Sequence, residues 1–148
     1  MPTIEIPKTK EIERIIYSPL IIHNNQESLA IHRIVRHDDV TKIDFIHYAS
    51  RVYVQGGWVQ IYKQTFIRPV GTATELTMLQ AINIPVAPEK HHYRHQFDYL
   101  AYTLIFPSLA KDVKAIDIIE MELPGSDWFN FYGVSLEKIT SQRLIINN

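Results

Sequence analysis

The stretch Phe97-Asp98-Tyr99-Leu100-Ala101-Tyr102-Thr103-Leu104-Ile105-Phe106 decides the fold class of this chain. Its large apolar side chains occupy every second position, at Leu100, Tyr102, Leu104 and Phe106. A period of two is typical of a β-strand that buries one face, whereas an amphipathic helix repeats every three to four residues. The stretch therefore predicts a long strand that packs this face into a core.

Similar alternation recurs in short segments that are separated by turn-forming residues. Gln55-Gly56-Gly57 is the clearest turn, because paired glycines accept positive φ angles. Ser18-Pro19 and Pro124-Gly125 mark two further breaks. The other predicted strands are residues 12–17, 28–36, 40–48, 51–54, 58–66, 74–84, 115–121 and 128–136. About eight strands without a long amphipathic helix predict an all-β fold, an antiparallel β-sandwich of immunoglobulin-like size that forms a single domain over residues 1–148.

Two of these strands lie on either side of His37-Asp38-Asp39, which indicates a hairpin. Strict alternation in residues 28–36 places Leu29, Ile31 and Val35 on one face, and Ala30, His32, Ile34 and Arg36 on the other. In residues 40–48 it groups Ile43, Phe45 and His47. Residues 74–84 fit helical as well as strand spacing, and we predict one strand because strands flank them.

Composition excludes several classes of protein. The chain has 148 residues, 46% of them hydrophobic, and a formal charge of -1, so it is neither disordered nor basic enough for an electrostatic nucleic-acid footprint. With 0 Cys it has no disulfide, thiol nucleophile or Cys-ligated zinc. No signal-peptide core follows Met1, and the longest apolar run, Tyr99–Pro107, is far too short to insert across a membrane. We expect a soluble chain whose location stays open.

Five phrases between residues 58 and 136 resemble a known type of domain. They are Trp58-Val59-Gln60-Ile61, Asn83-Ile84-Pro85-Val86-Ala87-Pro88-Glu89, Tyr102-Thr103-Leu104-Ile105-Phe106-Pro107-Ser108-Leu109, Ala115-Ile116-Asp117-Ile118-Ile119-Glu120 and Trp128-Phe129-Asn130-Phe131-Tyr132-Gly133-Val134. In this order they resemble an uncharacterised bacterial immunoglobulin-like β-sandwich module of the type found in cell-envelope proteins. The resemblance implies a fold and a cell-envelope setting, and it brings no catalytic residues with it.

Histidines supply the candidate metal ligands. His91, His92 and His95 lie within five residues, and neutral imidazole is a common ligand of zinc, copper and nickel. On a strand, His91 and His95 share a face and His92 points away. On a helical turn, His91 and His95 would instead lie four residues apart on one side. Neither arrangement supplies a third ligand locally, and a solvated loop is the competing interpretation.

A second set consists of His32, His37 and His47 with Asp38 and Asp39, because a hairpin places His32 and His47 on neighbouring strands. The competing interpretation is that these histidines bond to backbone or water. Glu120 and Glu122 are two residues apart on one predicted strand, and we expect both on a solvated face.

Aromatic side chains supply two candidate surfaces. Trp58, Tyr62 and Tyr53 are candidate ligand-binding residues, since exposed rings stack on sugars, although a Trp that follows a Gly-Gly turn also suits a core. Trp128, Phe129, Phe131 and Tyr132 place bulk on both faces of the last strand. Only one face enters the core, so these four are candidate interface residues toward a partner, a second copy or residues 144–146.

These observations predict a non-catalytic binding or scaffolding module without a cofactor. Its partner is an unknown protein or a second copy, engaged through a sheet face or an exposed edge strand. The alternative is a small-ligand module, with carbohydrate on the aromatic residues or a divalent metal at the His91, His92 and His95 cluster. An enzyme ranks third, because no nucleophile–base pair is recognisable in the sequence.

Overall fold

The computed structural model describes residues 7–12, 14–124 and 128–141. Within these ranges the chain forms fourteen strands and no helix. The strands in chain order are β1 (Pro7–Ile12), β2 (Ile15–Tyr17), β3 (Ile21–Asn24), β4 (Leu29–Arg36), β5 (Val40–Tyr48), β6 (Trp58–Val59), β7 (Phe66–Pro69), β8 (Leu76–Thr77), β9 (Gln80–Ile82), β10 (His91–His92), β11 (Tyr99–Pro107), β12 (Ala115–Ile119), β13 (Phe131–Ser135) and β14 (Glu137–Ser141).

The strands assemble into two five-stranded sheets and two ribbons. The first sheet has the order β2-β4-β5-β11-β9, and the second has the order β3-β13-β12-β7-β8. β1 pairs with β14, and β6 pairs with β10. All of these pairings are antiparallel, so the predicted all-β antiparallel fold is confirmed and its sandwich-like layering is present.

The centre of the first sheet is the pair β5 and β11. They align over their full lengths, from Tyr48 opposite Tyr99 to Val40 opposite Pro107. Their inward side chains alternate as the sequence predicts, and the buried ones are Thr41, Ile43, Phe45, His47, Tyr102, Leu104 and Phe106. Burying one large apolar side chain contributes about 2 kcal/mol, so this pair carries much of the free energy of folding.

Aromatic contacts join the two sheets. The Phe45 ring stacks on Tyr102 within the first sheet at a centroid distance of 5.2 Å, and it meets Phe131 of the second sheet at 6.0 Å. Ile67, Ile116 and Val134 complete the facing layer, each fully buried. The core therefore lies between the two five-stranded sheets.

β4 departs from its predicted alternation because it contains a bulge. Ile31 pairs with Phe45 but Arg33 already pairs with Asp44, so β4 has one extra residue in this interval. A bulge reverses the phase of the side chains that follow it. Ile34 and Arg36 consequently share the buried face with Leu29 and Ile31, and their predicted placement on the opposite face is wrong.

The segment predicted as one strand over residues 74–84 is two strands in two sheets. β8 pairs with β7 in the second sheet, and β9 pairs with β11 in the first. The segment thus crosses from one layer to the other. The structure has fourteen strands where the sequence predicts about eight, and very short strands of this kind account for much of the difference. Gly125 and residues 144–146, named in the sequence analysis, lie outside the described residues.

Candidate functional site

The three candidate ligand-binding aromatics lie near the β6–β10 ribbon. Trp58 is 48% exposed, and the Lys90 ammonium sits 4.2 Å from the centre of its ring. Tyr62 is half-buried and meets Trp128 edge to face, with an interplanar angle of 63°. Tyr53 is exposed on the loop that precedes β6. The structure therefore brings Tyr62 against Trp128, in an arrangement that is not coplanar.

A groove runs beside Tyr62, between residues 60–64 and residues 87–90, with a volume of about 490 Å³. Lys63 and Lys90 contribute two ammonium groups to its rim. Gln60 also lines the groove, but its side-chain oxygen is buried and has no hydrogen-bond partner among the described residues. The groove therefore combines an aromatic ring with positive charge.

A buried carboxylate lies behind this groove. Glu120 is 3% exposed, and its two oxygens accept hydrogen bonds from the backbone N–H groups of Tyr62 (3.3 Å) and Phe129 (3.1 Å). Burial raises the pKa of Glu120 to about 7, and the two backbone donors oppose this rise. The prediction that Glu120 and Glu122 share a solvated face is wrong, because Glu120 is buried, whereas Glu122 is exposed and binds Arg68 at 2.6 Å.

Asn130 holds the chain around Glu120 in place. Its Oδ1 accepts from the N–H groups of Glu120 (2.9 Å) and Met121 (3.3 Å), and its Nδ2 donates to the Met121 carbonyl oxygen (2.7 Å). Asn130 is 2% exposed, so these bonds replace water at backbone groups that are otherwise unsatisfied. Sequence reasoning missed this role, because the alternation of apolar and polar residues does not indicate which polar side chain will bond to buried backbone groups.

The candidate metal ligands are spread over the β10 region. His91 and His92 pair with Val59 and Trp58 across the ribbon, and the His91 ring meets Tyr93 edge to face at 5.1 Å. His92 and His95 are exposed, and His95 Nδ1 accepts a hydrogen bond from the Phe97 N–H at 3.2 Å. Among the described residues, no group of three or more histidines and carboxylates is arranged to hold a metal ion.

The second histidine set does not assemble. His47 is buried and pairs with Leu29, whereas His32 lies at the β4 bulge and is exposed. His37 and the two aspartates that follow it are also exposed. The hairpin places His32 and His47 on neighbouring strands as predicted, but the register and the bulge direct their side chains to opposite faces, so the candidate site does not form.

His47 instead forms a buried pair with Tyr93. The Tyr93 hydroxyl donates to the His47 carbonyl oxygen at 3.2 Å and lies 2.7 Å from His47 Nδ1, so the Nδ1–H can donate to it. The two rings are nearly parallel at 5.7 Å. Burial and the nearby His91 lower the pKa of His47 to about 4, which keeps the imidazole neutral.

The four candidate interface residues have divided roles. Phe131 is fully buried in the core, which corrects its assignment to an interface, since its strand faces the first sheet. Phe129 is half-buried against the His47 ring at 5.4 Å. Trp128 packs on Tyr62, and Tyr132 packs on His23 at 5.9 Å. Only Trp128, Phe129 and Tyr132 retain part of their surface.

A more exposed apolar surface lies along the sheet edges formed by β2 and β3, and sequence reasoning did not single it out. β2 and β3 are consecutive in the chain, and each is the edge strand of a different sheet. Ile15, Tyr17, Leu20 and Ile22 are exposed along this edge, Ile22 by 87%. The signal was available as a dense run of apolar residues around Ser18-Pro19.

Comparison with protein-family models, with curated proteins and with solved structures gives no match to this chain. Within the described residues, the structure has no helix of the length and hydropathy that crossing a bilayer requires. A functional conclusion therefore depends on the geometry of the surfaces described above.

Proposed function

We propose that this protein is a non-catalytic binding module that contacts another polypeptide chain by strand addition at β3. The observation that carries the proposal is the position of β3 at the edge of the second sheet, where β13 is its only partner among the described strands. An edge strand presents unpaired N–H and C=O groups that accept a further strand. Among the four edge strands of the two five-stranded sheets, β3 is also the longest, the others being β2, β8 and β9.

The composition of β3 supports the proposal. Natural edge strands are protected by charged side chains, proline, bulges or extreme shortness. Ile21–Asn24 contains neither a Lys, Arg, Asp or Glu nor a proline. Leu20 directly precedes the strand and Ile22 lies within it, and they expose 70% and 87% of their surface. An added strand would cover these apolar side chains while its backbone pairs with β3.

A second copy of the chain is the partner that the chemistry favours. A two-fold axis at β3 would place two identical uncharged segments opposite each other, which is the self-complementarity that a symmetric dimer needs. The formal charge of -1 adds little repulsion between copies. The second sheets of the two copies would then form one continuous sheet across the dimer.

Sedimentation velocity over a range from about 1 μM to about 1 mM tests this proposal, since weak dimers dissociate in that range. We expect a concentration-dependent dimer, and we expect Ile22→Lys to keep the protein monomeric by placing a charge at the new pair. Leu79→Lys is the matched control, because Leu79 is 62% exposed and lies outside β2 and β3. A chain that stays monomeric throughout, with unchanged melting temperature, contradicts the proposed partner.

The proposal also includes the family resemblance that residues 58–136 carry. The phrases there resemble uncharacterised bacterial immunoglobulin-like modules, which occur alone or beside other domains in cell-envelope proteins. The antiparallel sandwich-like layering is compatible with this relationship. An experimental structure of a partner-bound form would test it through strand order.

A second candidate function is small-ligand binding in the groove beside Tyr62. The Tyr62 ring, which lines this groove, favours it, because carbohydrate ligands stack on aromatic rings. Carbohydrate is therefore the predicted ligand class. A thermal-shift panel with glycans tests it, with zinc, nickel, copper and calcium as comparison ligands, since ligand at 100 times its Kd adds about 2.7 kcal/mol of stability.

A further inference from the structure

Two loops at one end of the sandwich present a cluster of strongly exposed apolar side chains. Residues 49–57 follow β5, and residues 93–98 precede β11. The loops expose Val52 by 85%, Tyr53 by 64%, Val54 by 84% and Phe97 by 75%. We name these four side chains the apolar tip. None of them takes part in the β3 edge or in the groove beside Tyr62.

The two loops pack closely against each other and are joined by hydrogen bonds. Gly56 has φ +84°, and a Cβ there would lie 2.5 Å from the His95 carbonyl oxygen and 2.9 Å from the Ala49 Cβ. Only glycine permits this close approach. The Ala49 N–H donates to the Asp98 carbonyl oxygen at 3.0 Å, and the Gln96 side chain donates to the Arg51 carbonyl oxygen at 3.0 Å. The loops therefore hold the apolar tip in a fixed position.

Positive charge accompanies the apolar tip. The two loops contain exposed Arg51 and Arg94 and a single acidic residue, Asp98. The Asp98 carboxylate is occupied, because it accepts hydrogen bonds from the N–H groups of Tyr99 (2.9 Å) and Arg94 (3.5 Å). The Arg51 guanidinium lies 5.6 Å from the centre of the Phe97 ring. A surface that docks here must offer negative charge next to an apolar layer.

Tyrosines lie just behind the loops. Tyr48 and Tyr99 are cross-strand neighbours at the ends of β5 and β11, and they are 50% and 62% exposed. Tyrosine is favoured where an apolar layer meets water, since its ring is apolar and its hydroxyl is polar. Exposed tyrosine thus flanks the apolar tip on the side of the strands, while Arg51 lies within the tip beside Phe97.

We propose that the apolar tip docks on an anionic lipid surface. Its side chains project outward, so a lipid interface buries them together, whereas a protein partner needs a separate pocket for each. The two arginines match acidic headgroups, and the tyrosines match the depth of the interface. This contact is peripheral and requires no spanning segment. It goes beyond the proposed strand addition at β3 and does not depend on it.

Cosedimentation with vesicles tests the proposal. The probes are phosphatidylcholine vesicles with phosphatidylserine at about one lipid in three, and phosphatidylcholine vesicles alone. We expect binding to the anionic vesicles and at most weak binding to the neutral ones. Val52→Asp/Val54→Asp should lower the partition coefficient by about tenfold or more, because it removes apolar burial and adds repulsion. Leu79→Asp, at a 62% exposed position away from the tip, is the matched control.

The arginines are tested separately. Arg51→Gln/Arg94→Gln should lower binding by about twenty-fivefold, at roughly fivefold for each charge, and added salt should also lower binding of the unaltered protein. Lys111→Gln/Lys114→Gln removes two exposed charges elsewhere and should leave binding unchanged. Ile22→Lys should also leave it unchanged, which distinguishes this contact from strand addition at β3.

Three results would overturn the proposal: no binding to either vesicle, equal binding to both, or full binding by a folded Val52→Asp/Val54→Asp variant. Circular dichroism at matched concentration establishes that the variants are folded. If neither kind of vesicle binds, the lipid proposal is wrong. A protein partner with an apolar pocket and acidic walls would then suit the apolar tip better.

Discussion

Two buried polar regions lie in this sandwich, and they satisfy their polar atoms in different ways. Around Glu120 and Asn130, side chains bond mainly to backbone N–H and C=O groups, with one longer side-chain bond from Asn130 Nδ2 to the Tyr132 hydroxyl at 3.4 Å. Around His47 and Tyr93, the shortest bond, 2.7 Å, joins the two side chains, and the Tyr93 hydroxyl also donates to the His47 carbonyl oxygen. Loss of a backbone partner leaves buried groups that cannot rotate away, so the first region should tolerate substitution less than the second.

The largest expected effect is at Asn130. Asn130→Ala leaves the N–H groups of Glu120 and Met121 and the Met121 carbonyl oxygen without their partner. We expect the free energy of unfolding to fall by about 4 kcal/mol, as for other losses of a buried hydrogen-bond network. Urea unfolding measures this fall. Asn25→Ala, which removes an exposed side-chain bond to His23, should change it by less than about 0.5 kcal/mol.

Glu120 should make the protein less stable as the pH rises. Its pKa is raised from 4.5 to about 7 in the folded state, so the folded state binds more protons than the unfolded state across this interval. The contribution of Glu120 to the free energy of unfolding is fully present below about pH 4.5. It falls by up to about 3 kcal/mol by pH 7. Urea unfolding of Glu120→Gln as a function of pH should lack this fall. An identical pH profile in both proteins would show that Glu120 does not titrate in this range.

His47 should act in the opposite direction. Its pKa is lowered from 6.5 to about 4, so the unfolded state binds the extra proton first as the pH falls. The contribution of His47 to stability is complete above about pH 6.5 and falls by up to about 3 kcal/mol toward pH 4. His47→Gln should remove this loss. Between about pH 4.5 and 6.5 the two residues oppose each other, so the unaltered protein should have a flatter profile than either variant.

The smallest effect is expected at the Tyr93 hydroxyl. Tyr93→Phe keeps the stacked ring and removes the atom 2.7 Å from His47 Nδ1. We expect a loss of about 1.5 kcal/mol, because one buried donor loses its acceptor. Thermal unfolding measures it, with Tyr53→Phe as the exposed control. A loss as large as that of Asn130→Ala would remove the distinction between the two regions.

The regular strands were predictable because alternation reports burial directly. β5 and β11 pair without interruption, so Phe45, His47 and Tyr102 lie on the predicted face. β4 was not predictable beyond Ile31, since a bulge changes the phase without changing the composition of the strand. The division of residues 74–84 between two sheets depends on which strands become neighbours, and local spacing does not encode that choice.

The candidate sites were less predictable than the strands. The sequence indicates aromatic surface at Trp58 and Tyr62, but the Trp128 contact depends on a loop that is distant in the chain. Glu120 resembles a solvated strand residue in the sequence, and its burial follows from backbone donors that only folding brings near. Histidine spacing suggested ligands, whereas the register and the β4 bulge separate His32 from His47.

The β1–β14 ribbon has a consequence for mechanical load. The two strands are antiparallel, with Pro7 opposite Ser141 and Ile12 opposite Glu137. A tension applied at Pro7 and Ser141 therefore acts on the same end of the ribbon and breaks its backbone hydrogen bonds one after another, instead of shearing them together. The ribbon would open at low force before the load reaches the two five-stranded sheets, so it would extend first under tension and spare the core.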